Sequence, residues 1–234
     1  FLKKNEPNTY FLAWTTTPWT IPGNLMLAVN KKLVYVKVTC ENETFILAKD
    51  RVKDVFKDKK YEIKEEFSGS KLEGEEYLPP FDYFKDKRKE GCFRVLCSSH
   101  ASSEEGTGIV HLAPYGEEDF EIFMKLGIKL FDYLDETANF TSLIPSYQGM
   151  FYKDANGKIV TDLKSINCLF DSGTLLHRMP ICYRTGTPLI YKPVKSWYIA
   201  VSKLKKKMLR QNQKINWNPK HLKNGNSKIW IENA

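Results

Sequence analysis

Short apolar or alternating runs separated by polar turns dominate the first 200 residues. The runs at 25–29, 33–38 and 44–48 are too short for stable helices and contain β-branched residues, so each predicts a strand. The polar turn at 30–32 favours a hairpin between the first two. A further run at 93–97 has the same form. This regular succession of short strands predicts a sheet-rich fold.

Helical spacing is confined to a few segments. Residues 117–126 have one apolar side, and Gly127 stops the pattern. Residues 154–170 and 203–211 also repeat apolar positions at intervals of three and four. Many short strands with few helices predict a mixed α/β, β-rich fold, namely a closed or nearly closed β-barrel core with peripheral helices.

A run of three threonines follows the strand predicted at 10–14. Because side chains alternate along a strand, the hydroxyls of Thr15, Thr16 and Thr17 would face both sides of an extended segment. Pro18 ends regular pairing. The stretch therefore predicts a strand end that presents hydroxyl groups, although threonine also suits strands for packing reasons alone.

A second stretch combines a histidine with acidic residues. His111 lies near the end of a strand predicted at 108–112, and Pro114 breaks that strand. Glu118 and Asp119 stand in the first turn of the next helix, where acidic residues are favoured. Each residue alone has an ordinary structural explanation. Together they place an imidazole and a carboxylate at the two ends of one short loop.

The net charge of +8 is concentrated at the C-terminal end. Residues 1–200 contain 27 basic and 27 acidic residues, whereas 201–234 contain nine basic residues and one acidic residue, Glu232. Such a local excess is typical of a contact with a polyanion. A solvated helix face is the alternative interpretation.

The five cysteines have no regular spacing, which indicates a reducing compartment. Cys97 and His100 have Cys-x-x-His spacing, but a fourth ligand at a partner spacing is missing, so we expect no metal. We recognise neither a signal peptide nor an apolar run long enough to span a membrane. These features predict a cytoplasmic protein without a membrane partner.

Four stretches together resemble the editing domain of isoleucyl-tRNA synthetase, which is the connective polypeptide 1 insertion of this class I enzyme. They are Trp-Thr-Thr-Thr-Pro-Trp-Thr and its continuation at 14–24, and the segments 106–119, 182–190 and 195–198. The resemblance covers essentially the whole chain. Thr17 makes it isoleucine-type, because leucine and valine relatives carry an arginine there. We expect the eukaryotic cytosolic type.

The chain departs from the family pattern in two places. The family usually has one more residue between its histidine and aspartate than this chain has between His111 and Asp119. Glu118 is the alternative match if the shorter loop shifts the register. Thr185 replaces the second of two cysteines that bind zinc in some relatives, so we expect the turn that begins at Cys182 to fold without metal.

The resemblance implies hydrolysis of the ester that joins valine to the terminal adenosine of isoleucine tRNA, with the isoleucyl ester excluded by size. It also implies an editing β-barrel domain at 1–200 and a basic helical return segment at 201–234. The implied partners are the 3′ end of tRNA(Ile) and the rest of the synthetase chain. No cofactor is expected, because ATP and Mg²⁺ serve the synthetic domain. The full ligase is excluded, since its His-x-Gly-His and Lys-Met-Ser-Lys-Ser signatures are missing.

The resemblance also suggests roles for individual residues. Asp119 would bind the α-ammonium of the valyl group, and His111 would block an additional methyl group. Asp119, Thr16 and Thr17 are the catalytic candidates. The hydroxyls offered to the ester, the ribose and a water belong to Thr15, Thr16, Thr17 and Thr20. The side chains expected to bind the adenosine are Trp19 and Asn24.

The residues expected to contact tRNA are the basic side chains of the last predicted helix: Lys203, Lys205, Lys206, Lys207 and Arg210. Two other functions remain open. One is a tRNA-binding module with lost or weak hydrolytic activity. The other is the editing domain of a valyl or leucyl relative.

Overall fold

The structure is a computed structural model that describes residues 1–176 and 179–233. The chain divides into two compact units, Phe1–Pro193 and Val194–Ala234. The strands are β1 Leu2–Lys3, β2 Thr9–Phe11, β3 Met26–Val29, β4 Val34–Cys40, β5 Glu43–Ala48, β6 Glu62–Ser68, β7 Tyr77–Leu78, β8 Val95–Cys97 and β9 Val110–Leu112. The α-helices are α1 Val52–Phe56, α2 Glu117–Lys125, α3 Tyr152–Ser165, α4 Val201–Asn212, α5 His221–Asn224 and α6 Asn226–Glu232.

The strands of the first unit form two sheets. The larger sheet has the order β6-β4-β5-β2-β1-β7, and the smaller has the order β8-β3-β9. β4 and β5 form an antiparallel hairpin, with Tyr35 opposite Ala48 and Cys40 opposite Glu43. β3 pairs instead with β8 in parallel and with β9 in antiparallel orientation. The predicted hairpin between β3 and β4 is therefore wrong, because the two strands belong to different sheets.

β4 shows why this part of the sequence forms a sheet. Its alternating side chains place Val36 and Val38 in a cluster with Phe45 and Phe56. Tyr35 belongs to the main core instead, where its hydroxyl donates to the carbonyl of Gly108 at 2.6 Å. Burying a side chain of the valine or phenylalanine kind contributes about 1.5–3 kcal/mol, so both sides of the strand hold it in register.

The main core is shared by both sheets. The largest of its fully buried side chains include Phe11, Leu25, Leu27, Tyr35 and Phe93. A second, aromatic core packs against α3 and contains Trp19, Tyr115, Tyr133, Tyr147 and Ile159. The first core fixes the strands, and the second fixes the segments between them that carry the candidate site.

The predicted closure of the sheet into a barrel is wrong for the described residues. The larger sheet ends at β6 and β7, and isolated bridges at Glu76–Arg94 and Trp14–Val110 connect the two sheets in place of continuous ladders. The strand predicted at 10–14 ends at Phe11, since the chain then turns toward a 3-10 helix that contains two prolines. Proline cannot donate to a ladder, so the segment that begins at Pro18 adds no strand to either sheet.

The second unit consists of α4, α5 and α6. α4 covers the helix predicted at 203–211, whereas the two short helices after it were not predicted. Asn212 is buried, donates to the carbonyl of Lys223 at 2.9 Å and accepts from the indole N–H of Trp217 at 3.0 Å. These bonds connect the end of α4 to the segment that follows it.

Candidate functional site

The threonine-rich segment folds into a compact turn. Pro18–Gly23 forms the 3-10 helix, with Pro18 at its start, where the missing N–H costs nothing. Gly23 lies so close to Tyr133 that an added Cβ would be 2.1 Å from the ring. The segment is therefore bent and held against the aromatic core, and the prediction of an extended strand end is wrong.

Three threonine hydroxyls form a chain that leads to His111. The Oγ1 atoms of Thr15 and Thr17 are 3.1 Å apart, and those of Thr17 and Thr20 are 3.2 Å apart. Thr20 Oγ1 lies 2.8 Å from His111 Nε2. Thr15 and Thr17 are partly accessible, whereas Thr20 and His111 are buried. The chain of bonds therefore runs from the surface into the interior, and Thr16 is exposed beside it.

The same bonds favour one tautomer of His111. Thr20 donates its hydroxyl proton to the carbonyl of Thr17 at 2.8 Å, so it accepts from Nε2–H of His111. Nδ1 is then the acceptor, and it faces Nδ2 of Asn24 at 3.5 Å. This tautomer is assigned from the bonding pattern. It makes the imidazole a donor to Thr20 and not a base that activates it.

The imidazole of His111 is held as a neutral, fixed group. β9 places it opposite Leu27 in β3. Burial lowers the pKa of His111 to about 4, so the ring carries no charge at pH 7. An uncharged ring fixed on a strand is better suited to limiting the size of a neighbouring group than to proton transfer at neutral pH.

Asp119 turns back from α2 toward the end of β9. Its Oδ2 accepts from the backbone N–H of Ala113 at 3.0 Å. Burial raises the pKa of Asp119 to about 6, although the Ala113 N–H and the nearby His100 oppose the shift. The carboxylate is charged at pH 7 in a half-buried place. A cation that binds there would replace the water that the carboxylate has lost.

Glu118, the alternative carboxylate, lies elsewhere. Its side chain is exposed, and Oε2 is 2.5 Å from Nδ1 of His100. Of the two acidic residues, Asp119 is the one that bonds to Ala113, two positions after His111. The shorter loop therefore still brings the carboxylate of Asp119 to the end of β9.

Trp19 is buried, which does not fit the predicted contact with adenosine. Its ring packs edge-to-face against Tyr115 and Tyr152 at centroid distances of 5.0 and 5.1 Å. Its backbone N–H donates to the side-chain oxygen of Asn156 at 2.9 Å. Trp19 thus fastens the 3-10 helix to the aromatic core and α3.

Asn24 is also buried, and its side-chain amide is hydrogen-bonded to neighbouring residues. Nδ2 donates to the carbonyl of Met26 at 3.0 Å, and Oδ1 accepts from the hydroxyl of Tyr77 at 2.6 Å. Because its amide also faces His111, Asn24 orients the imidazole. Binding of adenosine would require these bonds to break, so the predicted contact does not fit this placement either.

Trp14 is the exposed aromatic residue of this region, and sequence reasoning gave it no role. It is 42% exposed and lies against Gly106, where an added Cβ would be 3.0 Å from its side chain. Gly106 also has a φ of +65°, which favours glycine. Gly106 is distant in sequence, and no pattern indicated that these two residues meet.

A cleft of about 700 Å³ opens beside Trp14. Its lining includes Trp14, Thr15, Thr16, Arg51, Gly106, Leu169 and Phe170. Ligand pockets of about 300–1,000 Å³ are common, so the cleft is large enough for a small molecule or a nucleoside. Among the described residues, His111 and Asp119 are not part of this lining.

The polar side of the cleft is held in place by Arg51. Its Nε donates to the carbonyl of Gly106 at 3.0 Å, and its NH1 lies 2.8 Å from Asp54 Oδ2. Arg51 and the indole of Trp14 thus both lie against Gly106. A guanidinium and an exposed indole are groups on which a nucleobase can stack.

The basic residues of α4 differ in their surroundings. Within the second unit, Lys203, Lys206, Lys207 and Arg210 are exposed. Lys205 is less exposed, and its ammonium donates to the carbonyl of Glu232 at 2.9 Å. The exposed four are therefore freer than Lys205 to meet a phosphate backbone.

Across the ranges 1–176 and 179–233, no group of three His, Cys, Asp or Glu side chains is arranged to hold a metal ion. The turn at 182–188 closes through backbone bonds from Cys182 to Thr187 and from Gly186 to Cys182, each 2.8 Å long. Among the helices of residues 1–176 and 179–233, none has the length and apolar character that crossing a bilayer requires.

The sequence model of the class I tRNA synthetases (I, L, M and V) matches residues 26–234. This chain belongs to that family. It is 43% identical over 238 residues to the isoleucine–tRNA ligase of Protochlamydia amoebophila (strain UWE25), with 100% of this chain and 23% of the relative covered. It is 45% identical over 227 residues to the isoleucine–tRNA ligase of Chlamydia pneumoniae, with 95% and 22% covered.

The chain thus spans less than a quarter of the length of these relatives. It is also 42% identical to the isoleucine–tRNA ligase of Bdellovibrio bacteriovorus, over 98% of this chain and 22% of the relative. Homology to isoleucine–tRNA ligases agrees with the resemblance noted in the sequence. The three organisms are bacteria, so these relatives give no support to the predicted eukaryotic cytosolic type.

Solved structures share the fold at low sequence identity. The crystal structure of GlLeuRS-CP1 superposes with a TM-score of 0.54 at 16% identity, covering 71% of this chain and 85% of the other. The editing domain of the P. falciparum cytosolic leucyl-tRNA synthetase (space group P1) gives 0.51 at 10% identity, covering 79% and 80%. The prediction of a sheet-rich, mixed α/β editing-domain fold is confirmed by these likenesses.

Proposed function

We propose that this chain edits isoleucine tRNA by hydrolysing the ester of mischarged valyl-tRNA(Ile), as part of an isoleucyl-tRNA synthetase in the cytoplasm. The observation that carries the proposal is the neutral His111, fixed by Thr20 behind the accessible hydroxyls of Thr15 and Thr17. Discrimination of valine from isoleucine is the well-known case in which a missing methylene gives only about 1–3 kcal/mol. A second site that is too small for isoleucine removes the error.

The substrate is anchored by its charge. Asp119 is ionised at pH 7 and half-buried, so it accepts a charge-assisted hydrogen bond from the α-ammonium of the valyl group. Esters without a free amine lose this contact. His111 forms the wall that an additional methyl group would meet, and its neutral state means that it does not repel the ammonium.

Hydrolysis proceeds without a covalent intermediate. The hydroxyl of Thr20 donates to a backbone carbonyl and accepts from His111, which is the reverse of the arrangement in a nucleophile–base pair. The hydroxyls of Thr15, Thr16 and Thr17 remain to orient a water and the ester oxygen. The ribose hydroxyl of the substrate assists the attack on the ester.

The cleft beside Trp14 takes the nucleoside end of the tRNA. Its size, its exposed indole and the guanidinium of Arg51 suit an unpaired base. This replaces the predicted contacts of Trp19 and Asn24 with adenosine. Residues 1–200 act as the editing domain, and the basic helix in 201–234 contacts tRNA on the return to the synthetase body. The editing reaction uses no metal or other cofactor.

Deacylation of purified valyl-tRNA(Ile) and isoleucyl-tRNA(Ile) by the full chain tests this proposal. We expect hydrolysis of the valyl ester well above its spontaneous rate and protection of the isoleucyl ester. Threonyl and norvalyl esters of the matching tRNAs distinguish a valyl or leucyl relative. Binding of tRNA without hydrolysis of any ester would refute the proposal and favour the alternative, a tRNA-binding module.

A further inference from the structure

The last residues of the first unit lie against the loop that separates β9 from α2. The backbone N–H of Gly116 donates to the carbonyl of Tyr191 at 3.3 Å. This loop joins His111 to Asp119, so it sets the distance between the wall and the anchor of the proposed site. The residue after Tyr191 is Lys192, which has no role in the proposed hydrolysis.

The ammonium of Lys192 is surrounded by neighbouring oxygens. It donates to the carbonyls of Leu134 and Asp135 at 2.8 and 3.0 Å, and it lies 2.7 Å from Oδ2 of Asp132. Its side chain is only 19% exposed. Two of the three ammonium donors therefore have carbonyl acceptors, and the carboxylate of Asp132 adds an ion pair. Such a lysine fixes the backbone around it and is not a free surface charge.

Asp132 connects Lys192 to Tyr115. Its Oδ1 accepts from the hydroxyl of Tyr115 at 2.6 Å, and the same hydroxyl accepts from the backbone N–H of Tyr133 and Leu134 at 3.2 and 3.0 Å. Burial, together with Asp132, holds the pKa of Tyr115 well above its ordinary range, so the phenol keeps its proton.

Tyr115 is in contact with both halves of the site. Its ring packs against Trp19 of the 3-10 helix at 5.0 Å. Its backbone N–H donates to the carbonyl of Ala113 at 2.7 Å, and the N–H of Ala113 donates to the carboxylate of Asp119 at 3.0 Å. A displacement of Tyr115 would therefore move the 3-10 helix and the carboxylate of Asp119 relative to each other.

We propose that Lys192 is a positioning residue for the editing site, acting through Asp132 and Tyr115 to hold the loop that presents Asp119. The inference rests on the proposed function. It predicts an effect on the chemical step and not on tRNA affinity, because Lys192 is turned toward Asp132 and the carbonyls of the first unit.

The test compares Lys192→Met and Lys192→Arg with the matched control Lys195→Met, which removes an equal charge from an exposed site three positions away. Deacylation of valyl-tRNA(Ile) should lose about tenfold to a hundredfold in kcat for Lys192→Met, with KM and its salt dependence unchanged. Lys192→Arg should recover part of the loss, and the control should match the parent. An unchanged kcat, or a loss confined to KM, would overturn the proposal.

Tyr115→Phe provides a second route if Lys192→Met does not fold, since it removes one hydroxyl from the same network. We expect a comparable loss of kcat. If both fold, the double variant should lose little more than either single variant, because both changes break one connected set of bonds. Independent, multiplicative losses would contradict the proposal. Failure of the unsubstituted chain to deacylate is a different result and counts against the proposed function itself.

Hydrogen exchange at the amide of Gly116 gives a readout that does not depend on activity. The Gly116 N–H bonds to Tyr191, next to Lys192, so it should exchange faster in Lys192→Met than in the parent or in Lys195→Met. Equal exchange in all three proteins would contradict the restraint on the loop.

Discussion

Replacement of Asp119 by asparagine should stabilise the protein while it weakens editing. The two side chains have nearly the same shape, and the Oδ1 of asparagine can still accept from the N–H of Ala113. The substitution therefore removes the charge and leaves the hydrogen bond. Its effects on stability and on activity can then be attributed to the charge.

The stability effect follows from the pKa of Asp119, which burial raises from 3.8 to about 6. The native state binds its proton more tightly than the unfolded state does, so the free energy of unfolding falls as pH rises between about 4 and 6. The difference between the two pKa values lowers the free energy of unfolding by on the order of 2–3 kcal/mol above pH 6. Asp119→Asn should gain this amount above pH 6 and should match the parent below pH 4.

The activity effect has the opposite sign. A hydrogen bond to a charged group contributes about 1.5–3 kcal/mol, so loss of the proposed contact with the substrate ammonium should lower kcat/KM for valyl-tRNA(Ile) about tenfold to 150-fold. In the parent, kcat/KM should fall about tenfold per pH unit below pH 6, as Asp119 becomes protonated. The variant should lack this dependence.

Urea unfolding at pH 4 and pH 7 measures the first effect, and single-turnover deacylation between pH 5 and pH 7.5 measures the second. Glu117→Gln is the matched control, because it removes an exposed carboxylate from the same first turn of α2 that does not contribute to the pKa of Asp119. A variant at Asp119 that is no more stable than the parent at pH 7 would refute the burial argument. One that edits with the parent's pH profile would refute the anchor role.

Three further predictions concern the wall, the tRNA contact and the packing of the 3-10 helix. His111→Ala should raise hydrolysis of isoleucyl-tRNA(Ile) by about tenfold or more, measured against the valyl ester; continued protection would argue against the wall. Replacing the exposed lysines of α4 should reduce the salt slope of tRNA binding by about 0.7–0.9 per lost phosphate contact, compared with a control at Lys53, Lys60 and Lys153. The positions to replace are Lys203, Lys206 and Lys207. An equal salt slope in both triple variants would indicate that α4 is a solvated helix face that does not contact tRNA. Gly23→Ala should destabilise by about 1–3 kcal/mol, because the added methyl would meet the ring of Tyr133. Gly157→Ala is the control, because Gly157 lies in α3 and no atom is within 4 Å of the added Cβ. Its free energy of unfolding should rise by about 0.5–1 kcal/mol. Urea unfolding that finds Gly23→Ala more stable than Gly157→Ala would be evidence against this packing.

Local patterns were sufficient for several elements. The helix predicted at 117–126 is observed at Glu117–Lys125, and the runs at 25–29 and 44–48 became β3 and β5. These segments are defined by their own periodicity and by nearby glycine, proline or acidic residues. The same reasoning placed His111 on a strand and Asp119 in the first turn of a helix.

Long-range pairing was not determined by local patterns. β3 and β4 have strand character, but their assignment to different sheets depends on the distant partners β8 and β9. The closure of the barrel was also wrong for this reason. Whether two strand edges meet depends on the whole path of the chain, and alternation within one strand carries no information about it.

The sequence by itself determined which chemical groups are present and on which elements they stand: a run of threonines, the imidazole of His111 on a strand and the carboxylate of Asp119 at a helix start. Only the tertiary structure decided their exposure and their partners. Trp14 lies against Gly106 and stays 42% exposed, while Trp19, five residues later, is buried against Tyr115 and Tyr152. Burial and hydrogen bonding depend on atoms contributed by distant segments, so two similar side chains in one motif can have opposite roles.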